Sequence, residues 1–272
     1  MARRPAQSLP GLAVRQDGPR GVSRTLPEEW PVALVYDGST QAVMMASPAD
    51  LEDFALGFSL SEGIVAHPGQ LEGPEIVEHE AGTEVRFWLA PERAEAMKAR
   101  RRTMAGPVGC GLCGIDSLDQ AIRPLPRVSS AVQIAQSDLA RAADALRAHQ
   151  PLHDQTQAVH AAGFLRPGAG IVLAREDVGR HNALDKLIGA MARQGIDPGQ
   201  GAIVMTSRIS VELVQKCAIA GCPVLVAVSA PTAHAVRLAE GAGVTLAAFA
   251  RSGAFDLYAH PDRILTGASD VA

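Results

Sequence analysis

A mixed α/β fold, with an α+β first half and strands joined by helical crossovers in the second, is predicted by three observations. Short β-branched runs alternate with helical patterns after residue 170. Tight-turn dipeptides divide the segment before residue 90. The composition is that of a globular chain, with 47% apolar, 20% charged and 4% aromatic residues over 272 positions. That length accommodates one large or two ordinary domains with a proper core.

In the first half, residues 32–36 and 41–45 flank Asp37-Gly38 and read as a hairpin. Ser47-Pro48-Ala49-Asp50 then predicts a helix start, with a capping serine and proline at the first helical position. Leu51, Phe54, Ala55 and Phe58 give that helix one apolar face, and Gly63 ends it. A second hairpin is expected from residues 75–79 and 83–89 around Ala81-Gly82, followed by a short charged helix near residues 92–102. Pro124, Pro126 and the polar residues up to Gln136 read as a domain boundary. The expected organisation is a loose tail (1–24), an α+β domain (25–125) and an α/β domain (126–272).

The second half offers strands at 171–174, 201–205, 224–228 and 244–249. Helices are expected at 183–193, 211–220 and 233–240. Such alternation implies a parallel sheet, whose ligands bind beyond the carboxyl ends of the strands. The residues after each strand are polar: Arg175 to Asn182, then Thr206, Ser207, Arg208 and Ser210, then Ser229, Pro231, Thr232 and His234, then Arg251, Ser252 and Gly253. Arginines, hydroxyls and helix N-termini on one edge favour an anion, most naturally phosphate. No P-loop lysine motif occurs and no GxGxxG directly follows a predicted strand, which disfavours an ordinary ATPase or dinucleotide dehydrogenase.

Plainer readings stand beside this one. Asn182 and Asp185 read as caps of the helix from Ala183, Asp177 and Arg180 as a surface pair, His181 as a helix-start histidine, and Ser210 as the cap of the helix from Val211. Cys217 and Cys222 read as packed core thiols. Capping alone does not account for Arg180, Arg208 and Arg251 all falling at strand ends.

Cys110 and Cys113 sit in a glycine-rich run, 106–114, just after Arg100-Arg101-Arg102. Nearby cations raise the thiolate fraction, and glycine lets another molecule approach the main chain. Half a zinc site and a CxxC redox pair are the alternatives. Zinc lacks two further ligands at suitable spacing, since Cys217 and Cys222 lie about a hundred residues away, and the residues after Cys113 open a helix only weakly. Sulfur chemistry on a flexible loop is the better reading.

The net charge of −4 argues against general nucleic-acid binding. The first twenty-four residues lack the apolar core of a signal peptide, and no run of eighteen apolar residues exists. Four cysteines without a regular framework point to a reducing cytoplasm.

The run Glu176-Asp177-Val178-Gly179-Arg180-His181-Asn182-Ala183-Leu184-Asp185-Lys186 closely resembles the hallmark segment of the FdhD family, the formate dehydrogenase accessory sulfurtransferases. Cys110-Gly111-Leu112-Cys113-Gly114 resembles that family's CGxCG motif. Residues 48–63, Ser207-Arg208, Ser229-Ala230-Pro231-Thr232, the segment from Thr245 to Arg251 and Tyr258-Ala259-His260-Pro261 match its other blocks. One departure is Gln157, where the family usually has glycine after the threonine; His160 is retained.

The resemblance implies a cytidine-deaminase-like fold for the second half, with a mixed or parallel sheet, and a smaller α+β domain before it. The H-x-E…P-C-x-x-C zinc signature of true deaminases is missing, and no structural metal is expected. It further implies a sulfurtransferase that takes sulfur as a persulfide from a cysteine desulfurase. The sulfur passes to the molybdenum or tungsten bis(molybdopterin guanine dinucleotide) cofactor of formate dehydrogenase. Cys110 would carry the sulfur and Cys113 would assist. Phe249, Ala250, Arg251, Ser252, Gly253 and Ala254, with Arg180, His181, Ser207, Arg208, Ser229 and Thr232, would hold the cofactor or GDP. A ligand with two guanine ends suits a homodimer. The rival class is a chaperone that holds and inserts the cofactor, its cysteines structural or redox-sensing.

Overall fold

Two facing glycines determine how the halves of the chain meet. The computed structural model describes residues 3–94 and 125–266. Within it, helix α1 (Leu51–Ser61) crosses helix α4 (Arg180–Arg193) at Gly57 and Gly189. A Cβ on Gly57 would lie 1.7 Å from the Asp185 carbonyl oxygen, and one on Gly189 1.9 Å from that of Asp53. Only hydrogen at both positions permits so close a backbone approach. Beside the crossing, buried Asp53 takes Arg175 through Nε at 2.8 Å and Nη2 at 2.7 Å, and Arg193 at 2.8 Å.

Helix α1 belongs to a four-stranded sheet in the order β4-β3-β6-β5, built from β3 (Trp30–Tyr36), β4 (Ser39–Ala46), β5 (Leu71–Glu78) and β6 (Thr83–Leu89). The β3–β4 turn uses Asp37 at φ 50° and Gly38 at φ 73°, the left-handed pair that a two-residue hairpin requires. Val32, Leu34, Val85 and Phe87 alternate onto the face that packs Phe54 and Ala55 of α1. Both hairpins and the helix follow the sequence reading, and Gly63 at φ 67° lies just past the helix end. The expected Ser47 cap is corrected. The N-cap is Asp50, whose side chain makes no cap bond, because the groups of Ser47 are engaged with the strand and helix around Asp177 and Lys186.

The second sheet has six strands in the order β13-β12-β11-β10-β8-β9. They are β8 (His160–Arg166), β9 (Gly170–Asp177), β10 (Ala202–Met205), β11 (Val224–Ala227), β12 (Thr245–Arg251) and β13 (Ala254–Ala259). Helices α4, α5 (Val211–Ile219) and α6 (Ala233–Ala242) pack on one face. Helix α2 (Gln136–Arg147) covers the other through Leu139, Ala142 and Leu146. Strands β10, β11 and β12 are parallel, as expected. Of the mixed or parallel sheet expected, the structure has the mixed form, since β8 inserts antiparallel between β9 and β10, and β13 is antiparallel to β12. Two successive reversals leave β9 running with β10, so the carboxyl ends of β9, β10, β11 and β12 still share one edge.

The loose tail is also corrected. Strands β1 (Ala6–Arg15) and β2 (Gly18–Pro27) form an antiparallel ribbon paired over its whole length, and it packs against α3 (Pro151–Thr156). A short parallel pair, β7 (Ile134–Ala135) with β14 (Ile264–Leu265), completes the described strands. Cys217 and Cys222 are buried core thiols, as read. Among the described residues no helix is long and apolar enough to cross a membrane. The charged helix near residues 92–102 lies outside the described residues beyond residue 94.

Replacing Gly57 by alanine forces α1 and α4 apart. A loss of about 3 kcal/mol in unfolding free energy is expected, measured by urea denaturation; an unchanged midpoint would contradict the crossing.

Candidate functional site

At the shared strand edge, the hallmark segment divides into residues that lock the fold and residues that face outward. Asp177, the last residue of β9, and Lys186, on α4, are both 0% exposed and form an ion pair at 2.7 Å. Asp177 also accepts from the amides of Ser47 and Gly179 and from Asn182 Nδ2, while Lys186 donates to the Ser47 carbonyl. Two charges taken out of water this completely need such a set of partners. The surface Asp177–Arg180 pair is therefore corrected.

The capping role of Asn182 and Asp185 is corrected as well. The helix begins at Arg180, Asn182 donates to the Met45 carbonyl at 2.8 Å, and Asp185 binds Ser61 at 2.6 Å and Lys216 at 2.9 Å. Glu176 accepts from the amides of Leu152 and His153 at 2.8 Å and so caps α3. At the other end of α3, Gln157 holds φ 56°, the left-handed region that glycine fills most easily. A glycine at this position would hold that conformation at no steric cost.

Arg180 and His181 point to the site itself. The Nε of Arg180 is buried with no hydrogen-bond partner, an arrangement that an incoming anion would satisfy. His160 opens β8, and its Nδ1 lies 3.4 Å from Thr206 Oγ1, beyond the end of β10. The Nε2 of His181 lies 3.5 Å from Ser210 Oγ and 3.9 Å from the Glu212 carboxylate. Burial, reinforced by the charge of Arg180, lowers the pKa of both imidazoles, that of His181 to about 4. Burial opposes the charge of Glu212, but the Ser210 hydroxyl, the residue's own backbone amide and the neighbouring His181 and Arg180 together outweigh it and keep that carboxyl below its usual range. Ser210 occupies the N-cap of α5 without a side-chain cap bond, because its hydroxyl is turned to these neighbours. The result is a fixed cation whose charge acts on two neutral imidazoles.

The remaining candidates line the same edge. Arg208 is exposed after β10, and Ser207 is buried with its hydroxyl donating to the Arg208 carbonyl. The carbonyl of Ser229 accepts from the Phe249 amide, which ties the end of β11 to β12. Thr232 Oγ1 accepts from the Ala235 amide as the cap of α6. Phe249 is exposed at φ 54° with its ring 6.4 Å from that of Tyr258. Ala250 is buried, and Arg251 to Ala254 form an exposed turn with Ser252 and Gly253 both at positive φ. Cys110 and Cys113 lie outside the described residues. The sequence reading did not single out Glu212. Its only signal was an acid in the first turn of a helix, where the dipole alone accounts for it.

A model described as the FdhD/NarQ family matches residues 27–265. The Sulfur carrier protein FdhD of Agrobacterium fabrum is 52% identical over 254 residues, spanning 93% of this chain and 94% of that protein. Its namesake in Brucella abortus is 53% identical over 255 residues, with 93% and 95% covered. The crystal structure of a candidate formate dehydrogenase accessory protein from Desulfotalea psychrophila superposes with a TM-score of 0.75 over 96% of this chain and 100% of that one. At 22% identity it shares the fold.

In a histidine NMR titration, His181 is expected to change charge near pH 4, and Arg180→Gln to raise that midpoint. The unfolded imidazole protonates near pH 6.5. His181 therefore adds its full stability above that pH and loses it as the pH falls from about 6.5 to 4. A His181 midpoint near 6.5 in the folded protein would overturn this account.

Proposed function

The chain belongs to the FdhD/NarQ family, and on that premise we propose that it is a sulfur carrier serving the maturation of formate dehydrogenase. In this reading the Cys110 thiolate attacks the terminal sulfur of a persulfide on a cysteine desulfurase. The sulfur–sulfur bond there breaks, the desulfurase cysteine leaves as thiolate, and Cys110 holds the persulfide. Attack of the Cys113 thiolate on the inner sulfur then releases hydrosulfide and leaves a Cys110–Cys113 disulfide. A cellular dithiol reduces it for the next round. Cys113 thereby supplies the two electrons that turn sulfane sulfur into sulfide.

The acceptor is the molybdenum or tungsten bis(molybdopterin guanine dinucleotide), the substrate of this transfer. Its phosphates meet Arg180, Arg208 and Arg251, and its guanine meets the exposed face of Phe249. His160 and His181, neutral, contribute hydrogen bonds without adding charge. The observation that carries this placement is the buried, unpartnered Nε of Arg180 at the sheet edge where the other two arginines also fall. A guanidinium matches a diphosphate geometrically as well as electrostatically. Two guanine ends on one ligand favour a two-fold homodimer.

Treatment with a desulfurase and cysteine is expected to add ~32 Da to the Cys110 peptide, the mass of one sulfur atom transferred by such exchange. In Cys110→Ala this addition is lost while GDP binding persists. Persistent labelling of that variant would reject Cys110 as carrier, and unlabelled wild type that still binds cofactor would favour the insertion chaperone. Arg251→Ala is expected to weaken GDP binding about 10- to 100-fold by calorimetry, the range for a charge-assisted contact; unchanged affinity would remove the β12–β13 turn from the site.

A further inference from the structure

Helix α1 leaves one corner of its sheet uncovered. Residues 30, 32 and 34 of β3 alternate onto the helix face, with Thr83 and Val85 of β6 and, opposite them, Glu78 and Ile76 of β5. At that corner Trp30, Thr83, Ile76 and Glu78 meet the loop before α1 and its first turn across a cavity of about 540 Å³. This volume lies within the range of ligand sites. The indole N–H of Trp30 donates to Thr83 Oγ1 at 3.0 Å, which fixes the ring. Over the ring lies the guanidinium of Arg3, its Cζ 3.3 Å from the centroid.

Charge and shape together identify the ligand. The amino end of α1 would by itself draw an anion, but Asp50, Glu52 and Asp53 stand at that end and oppose one. With Glu78 they make four carboxylates against the guanidiniums of Arg3 and Arg193, a net −2. Arg193 is engaged by Glu52 and Asp53, each at 2.8 Å. An aromatic face within acidic walls selects a cation, and a planar guanidinium stacks on an indole better than a compact ammonium does. Strand β5 also ends its sheet, and an edge strand lets an extended segment lie beside it. We propose that this cavity receives an arginine side chain carried on an extended segment of a partner protein, with Arg3 as its resident stand-in. The partner's arginine takes the face of Trp30, Arg3 leaves it, and the residues flanking the incoming arginine fill the remaining volume. Nothing in this contact depends on the sulfur chemistry.

The test uses the full chain carrying Trp88→Phe, which leaves Trp30 as its one tryptophan. Circular dichroism confirms that each variant is folded. The peptide Gly-Arg-Gly, blocked at both ends, is expected to change Trp30 fluorescence saturably. The same peptide with citrulline, similar in shape but uncharged, is expected to leave it unchanged. Arg3→Ala is expected to lower the dissociation constant of the arginine peptide about 10-fold, because the resident no longer competes. Asp50→Asn/Glu78→Gln is expected to raise it about 10-fold through loss of charge. Asparagine tolerates the left-handed backbone, φ 53°, that Asp50 holds. A signal that does not saturate, equal binding of the citrulline peptide, or a dissociation constant unmoved by either variant would overturn the proposal. Arginine amide binding as tightly as the peptide would overturn the partner segment in favour of a small guanidinium compound. None of these outcomes bears on persulfide loading at Cys110, which is read by mass.

Discussion

The backbone-to-backbone crossing of α1 and α4 is the constraint on which the remaining geometry depends. Because Gly57 and Gly189 bring the two helix axes so close, the loop before α1 reaches the end of β9. There the main chain of Ser47 bonds Asp177 and Lys186. Those bonds fix the turn from β9 into α4, and that turn sets where Arg180 and His181 emerge. A helix contact in one part of the chain thus positions a guanidinium at the edge of a sheet in another. The Asp53 carboxylate, gripped by Arg175 and Arg193, holds the same junction from the opposite side.

The hallmark segment is therefore for the most part a set of internal ties. Glu176, Asp177, Asn182, Asp185 and Lys186 satisfy one another, a helix end and the loop before α1. Arg180 and His181 are the members left facing outward. A buried ion pair is a weak source of net stability, but removing one member strands the other without water. Substitution of any member of that lock is costly for that reason.

Much of this was legible where the information is local. Asp37-Gly38 marked its hairpin, and the four apolar runs marked β9, β10, β11 and β12 within a few residues. The ribbon was hidden because its prolines and glycines suggest a tail, although Asp17-Gly18 is a turn signal of the same kind as Asp37-Gly38. Strand β8 was hidden because His160-Ala161-Ala162-Gly163 lacks β-branched residues and is held by burial between two neighbours. The gathering of arginines at one edge was correctly read despite this, since the missing strand reverses direction once on each side. What could not be read were partners more than a hundred residues apart, such as Ser47 with Asp177 or Lys216 with Ser61, because no local pattern encodes them. Asn182 and Asp185 looked like caps for that reason.

The neutral histidines beside Arg180 have a consequence for how this edge responds to acid. An edge whose charge came from protonated imidazole would gain and lose that charge near neutrality. Here the charge resides on a guanidinium, and the neighbouring His181 stays neutral until about pH 4. The electrostatic character of this stretch of the edge is accordingly indifferent to mild acidification.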